Sequence, residues 1–294
     1  KRAAIAALYE IEPARNLVAF VFLALWGASA MLAFRIPAWP VRIAAYVLAG
    51  ASMHALGILM HEAVHGNLFR RRLLDRWAGF ALGVPVLISA TAYRVSHLLH
   101  HRHNRGPRDP AEIGNYIRSP RLLSLYFYAW PLVSTPLFMV HTFVGALQEG
   151  TTRQRRRVLA EYAAIGALGI AAFWLARAAD AVALLLHGWL VPMGVVHLLM
   201  SLRGWSEHLL TRPGHPLTQS RTVISNPVVR FFLCNGNYHL EHHLFPAVPW
   251  YRLPQLHRLL QGEYRAAGAS VYRSYLRFLW DAARAGMHGL VPSP

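Results

Sequence analysis

"LLSLYFYAWPLVSTPLFMVHTFVGAL", residues 122–147, is long enough to cross a bilayer, which takes roughly 20 apolar residues as helix. It also contains Pro131 and Pro136, each of which takes a donor out of a helical ladder. Its reading decides the fold, because histidine motifs flank it: "HEAVH" (61–65) and "HLLHH" (97–101) come before, "HLEHH" (239–243) after. If the segment crosses once, the earlier and later motifs lie on opposite membrane faces and share nothing. If it turns back or lies in the interface, they meet. The expectation is a re-entrant or interfacial helical pair.

Around it, residues 16–34 and 41–60 form one apolar hairpin through "RIPAWP", and 158–176 and 181–202 form a second through "RAAD". Arg70, Arg71, Arg72 and Arg76, then Arg102, Arg105 and Arg108, then Arg153, Arg155, Arg156 and Arg157 all fall on one side of this layout. That side reads as cytoplasmic, with both termini. The expected fold is all-α: a single integral membrane domain over 1–294, with four transmembrane helices in two hairpins and a cytoplasmic helical cap. The tail from about Trp250 alternates apolar and basic residues, as does a helix on the membrane surface or one packed into the cap.

Composition agrees, with 55% hydrophobic residues among 294. Lys plus Arg outnumber Asp plus Glu by 30 to 13, and the excess sits in loops between apolar runs. Such placement fits anionic headgroups rather than nucleic acid. One cysteine, Cys234, excludes a disulfide framework, a four-cysteine zinc site and an iron–sulfur cluster held by this chain alone. Electrons would come from a separate donor. The first residues read as no secretory signal.

Seventeen histidines remain to be explained. His61 and His65 are four apart, hence on one helix face. His97, His100 and His101 repeat the H-x-x-H-H form of His239, His242 and His243, a spacing expected to aim three rings one way. His208, in "RGWSEHLL", is a ninth candidate. Imidazole at this density points to metal. Glu62, Glu207 and Glu241 each adjoin a candidate ligand and are expected to accept its free ring N–H. Asp109, before Pro110, could orient a histidine too, but reads rather as a turn former. Nine imidazoles exceed one ion's needs, so two metals are implied. Iron, copper and zinc all suit such ligands, and two irons able to activate dioxygen fit a membrane oxidase best.

"HEAVH", "HLLHH" and "NYHLEHHLFP", continuing as "AVPWYRLPQLH", together resemble the three histidine boxes of membrane fatty acid desaturases and related hydroxylases, the carotenoid ketolase branch included. The resemblance runs from about Gly50 to Leu260. It implies a cytoplasmic cap holding a di-iron centre, dioxygen as co-substrate, an acyl lipid substrate and an external ferredoxin or cytochrome-like donor. It also implies that His208 is a ligand. In acyl-CoA desaturases of this superfamily an asparagine four residues before that histidine approaches the metal. Gly204 stands there in this chain, leaving water, Asn235 or Asn237 to take the place. The form of the third box favours desaturation over hydroxylation or ketolation. "HEAVH" is also a formal zinc-protease motif with Glu62 as base, but that reading leaves most of the histidines idle. A metal transporter would place ligands near the bilayer midplane, whereas these clusters sit at or beyond span ends.

Overall fold

A computed structural model describes residues 1–285. The helices in chain order are α1 (Arg2–Ala6), α2 (Val18–Arg35), α3 (Trp39–His65), α4 (Arg72–Gly83), α5 (Ala90–His103), α6 (Pro120–Glu149) and α7 (Thr152–Ala178). After these come α8 (Val182–Leu185), α9 (Val191–His208), α10 (Pro227–Phe232), α11 (His239–Leu244), α12 (Leu253–Ala267) and α13 (Tyr275–Ala285). Two short strands, β1 (Arg221–Val223) and β2 (Ser270–Tyr272), qualify the all-α expectation.

Among the described residues five helical stretches are long and apolar enough to cross a membrane: Pro13–Arg35, Trp39–His65, Pro120–Glu149, Thr152–Ala178 and Val182–His208. They fit a multi-pass membrane protein. Four of them overlap the stretches 16–34, 41–60, 158–176 and 181–202. The fifth, α6, corrects an expectation, for residues 122–147 form one continuous helix that runs through Pro131 and Pro136 instead of a helical pair. Each proline removes one hydrogen bond locally, and the rest of a 30-residue ladder persists around it.

The chain divides into two compact units, each discontinuous in sequence: one from Lys1–Ile11, Val95–Phe138 and the chain from Ser201 on, the other from Glu12–Arg94 and Met139–Met200. In the second unit α3 is the buried helix, while α2 and α7 expose Phe20, Ile170, Trp174 and Leu175. Twenty-seven residues rise roughly 40 Å, more than the ~30 Å hydrocarbon core. The end of α3 that carries His61 and His65 therefore has length to spare. Gly66, at φ 82°, stops the helix directly after His65, the left-handed conformation a glycine adopts without a Cβ clash. A π turn, Leu186–Leu190, precedes α9; Trp26 donates to its Gly188 carbonyl at 2.7 Å, and Tyr46 Oη lies 2.6 Å from His187 Nδ1.

The start of α5 is fixed in the same unit. Ser89 Oγ accepts from the Ala92 N–H at 3.0 Å, an N-cap. The buried carboxylate of Glu161, from α7, accepts from the Ser89 hydroxyl at 2.7 Å and from the Thr91 hydroxyl at 2.6 Å.

In the first unit β1 and β2 pair in parallel, Thr222 opposite Val271, and Thr222 also bridges Tyr238. Leu253, Leu256, Leu260 and Tyr264 of α12 pack with Leu8, Tyr238, Leu240 and Val248. The first helix of the tail is thus core packing around α11. The second, α13, buries Phe278 and Ala282 and exposes Leu276 and Trp280. Fully buried Arg221 donates to Ser206 O at 2.7 Å, to Leu209 O, and to Ser270 Oγ at 2.9 Å. Its guanidinium lies over the Tyr272 and Phe278 rings. Burial pushes its pKa down to about 10, so it stays cationic at neutral pH and caps the carbonyl end of α9, where a helix favours positive charge.

Candidate metal centre

That end of α9 carries His208, and α5 and α11 bring three more imidazoles to it. His100, His208, His239 and His243 offer ligand atoms that all lie within 4.8 Å of one another. His239 Nε2 is 3.0 Å from His208 Nε2 and 2.9 Å from His243 Nε2. The His100 ring stands edge-on to those of His208 and His243, with centroids 4.9 Å away in each case. Burial first, and then neighbouring charge, holds His239 and His243 well below the usual imidazole pKa. Both are therefore neutral at pH 7, the form that lends a lone pair to a metal. Four imidazole nitrogens converging in this way match the donor chemistry of a transition-metal ion.

The outward ring nitrogens are also engaged. His100 Nδ1 is 2.8 Å from Asp109 Oδ1, His208 Nδ1 is 3.0 Å from the Gln219 carbonyl, and His239 Nδ1 faces Glu207 at 3.6 Å. Glu207 is ion-paired with Arg203 at 2.6 Å. Contacts of this kind fix ring orientation and tautomer. Asp109 is both turn former and histidine partner, since it also accepts from the backbone N–H of Arg105 at 2.7 Å and of Ala111 at 2.8 Å. Burial raises its pKa, but His100 and those two N–H groups outweigh burial and leave it below the usual carboxylate value.

The H-x-x-H-H motifs do not aim three rings one way. His101 Nε2 is 3.0 Å from both His97 Nε2 and His242 Nε2, so these three residues gather separately from the four above. Residues i+3 and i+4 lie on either side of i, roughly 100° apart around a helix. Each motif therefore serves two groups: the second sends His97 and His101 to one and His100 to the other, and the third sends His242 to one and His239 and His243 to the other. In the second unit, at the end of α3, the His61 and His65 rings are 4.9 Å apart. His61 Nδ1 lies 3.3 Å from Glu62 Oε1.

Glu241 has other partners than expected. Its carboxylate accepts from the Thr222 hydroxyl and meets His257 Nδ1 at 2.6 Å, tying α11 to β1 and α12. His257 closes "AVPWYRLPQLH", and nothing in its spacing announced a partner sixteen residues back. Asn237 Nδ2 donates to Val223 O at 2.7 Å and Ile224 O at 3.2 Å, and so holds the strand. Gly204 is small because Trp130 lies against it. A Cβ there would come within 2.7 Å of the indole, which donates from Nε1 to Ser201 O at 3.0 Å.

Apolar helices sufficient for several crossings, with buried imidazole groups beside them, define an integral membrane protein suited to carry a metal centre. The fatty acid desaturase family model matches residues 37–275, and the chain belongs to that family. It is 27% identical to a human sphingolipid delta(4)-desaturase/C4-monooxygenase, over 81% of this chain and 70% of the relative. It is 24% identical to an sn-1 oleoyl-lipid 12-desaturase of Arthrospira platensis, over 79% and 73% respectively. A beta-carotene ketolase of Paracoccus sp. is 29% identical over 68% of this chain and 72% of its own length. The protein is accordingly an oxidoreductase of the membrane desaturase and hydroxylase superfamily.

Proposed function

We propose that this chain is an oxygen-dependent desaturase of membrane lipid acyl chains whose nine histidines hold two irons. His100, His208, His239 and His243 would hold one. His97, His101 and His242 would serve the other, and His61 and His65 complete the nine. The observation that carries the reading is the four-histidine group with its ring nitrogens turned inward. Such a centre, when bound and reduced, activates dioxygen for removal of hydrogen from a methylene. The protein's part is to hold the orientation of the imidazoles through Asp109, Glu207 and the Gln219 carbonyl, and to position the carbon chain.

Topology follows from parity. His100 precedes α6, α7 and α9, and His208 ends α9, yet their rings are 4.9 Å apart. An even number of crossings therefore separates them. Of the three helices α6 is the least apolar, which favours α6 as a helix lying along that face and the other four stretches as the spans. By the positive-inside rule that face is cytoplasmic, and its arginines, Arg153, Arg155, Arg156 and Arg157 among them, suit docking of an acidic ferredoxin or cytochrome-like donor.

The relatives named as a C4-monooxygenase and a ketolase favour a second outcome, oxygen insertion. Lipid mass spectrometry of cells expressing the protein or its His242→Ala variant separates the two. Desaturation yields a product lighter by two hydrogens; insertion of one oxygen yields a heavier one. Identical lipids in both strains would refute catalysis on lipids. About one zinc and no iron per chain would refute the di-iron assignment.

A further inference from the structure

Three of the four grouped histidines have an acceptor behind them; the fourth does not. His243 Nδ1 faces the side-chain amide nitrogen of Asn104 at 3.3 Å, and the same nitrogen is 3.2 Å from Ser220 Oγ. Asn104 Oδ1 is buried and has no partner among the described residues. As placed, the amide donates into the His243 Nδ1 lone pair, which leaves the proton on Nε2, the atom 2.9 Å from His239 Nε2. An imidazole that lends Nε2 to a metal carries its proton on Nδ1 and requires an acceptor there.

Amide oxygen and nitrogen have nearly the same shape, and their assignment follows the hydrogen-bond network. Turning the Asn104 amide over puts Oδ1 where Nδ2 stands. It then accepts from His243 Nδ1–H and from the Ser220 hydroxyl together, while the amide nitrogen moves to the buried position where the oxygen had no partner among the described residues. We propose that Asn104 is a positioning residue for His243: its side-chain carbonyl, steadied by Ser220, selects the tautomer that turns Nε2 into the four-histidine group. The inference rests on that group's holding metal, and it assigns to the residue three places after "HLLHH" the role that Asp109 fills for His100.

The test is metal affinity of the detergent-solubilised full chain, read by competition between cobalt and a chromophoric chelator. Asn104→Asp keeps an acceptor at that place and removes the donor; Asn104→Leu removes both. Asn104→Leu is expected to weaken one class of sites by about 10- to 100-fold, the usual effect of losing a contact behind a metal-bound histidine, while Asn104→Asp stays within about threefold of the parent. Equal weakening in both variants would overturn the proposal, because the donor would then be what matters, and so would a leucine variant with unchanged affinity. If Asn104→Leu does not fold, Asn104→Ala takes its place, with weakened affinity beside an unchanged aspartate variant supporting the acceptor role and unchanged affinity overturning it. A parent chain that binds no cobalt, or a His100→Ala chain that binds as the parent does, would instead defeat the metal reading itself.

Discussion

Two buried imidazole–carboxylate contacts lie in the same unit and look alike on paper: His100 with Asp109 at 2.8 Å and His257 with Glu241 at 2.6 Å. Their surroundings differ. His100 turns its other face toward His208 and His243, whereas His257 packs against the Tyr238 and Tyr264 rings. The first contact sits behind a ring that faces a group of four; the second ties one helix to another. An identical pair of functional groups is thus read by what the imidazole's far side meets, not by the bond between them.

The largest effect should come from breaking the tie. Glu241→Ala leaves His257 and Thr222 without their shared acceptor, and loss of one member of a buried ionic or hydrogen-bonded pair typically costs about 3–5 kcal/mol. Chemical unfolding of the metal-stripped chain would show a correspondingly lower midpoint. Asp109→Ala should act mainly on the metal, lowering affinity by about 10- to 100-fold, with a smaller loss of stability from its two backbone contacts. If the two substitutions weaken metal binding equally, the distinction drawn here fails.

A double replacement sharpens the contrast. Glu241→Leu with His257→Leu removes both polar partners from an apolar setting, and such exchanges are often neutral or stabilising. Stability is expected to return to within about 1–2 kcal/mol of the parent. No partner change at His100 can rescue Asp109→Ala in that way, because the imidazole is itself a proposed ligand.

The smallest effect is in pH. His239 and His243 have folded pKa values well below the usual one, so as pH falls below about 6.5 the unfolded chain takes up protons that the folded chain refuses. Stability of the metal-free protein should fall with pH over that range. Asp109, with its pKa below the carboxylate norm, stays ionised there and adds nothing. A melting temperature unchanged between pH 7.5 and about 5.5 would contradict this assignment.

Helix periodicity and the histidine spacing were legible because both follow from local chemistry. The partners of Glu241 and Asp109 were not. Adjacency to a histidine in sequence made Glu241 the better orienting candidate, yet the fold gives its oxygens to Thr222 and His257 and gives the turn residue Asp109 to His100. Those contacts depend on how β1, α12 and the 104–111 loop come together, which no single segment encodes. The continuity of α6 was hidden for another reason. A proline weakens a helix at one position, and a long apolar helix keeps its course around it.

The contact between Trp130 and Gly204 constrains the order in which this chain can change. An asparagine at position 204, the residue that the resemblance to acyl-CoA desaturases would put there, meets the indole before it meets anything else, since even its first carbon would lie 2.7 Å from the ring. Any lineage acquiring that side chain must first shrink residue 130 or shift its indole. Two sites seventy-four residues apart are thereby made dependent on each other, with the permissive change on one helix and the chemical change on another.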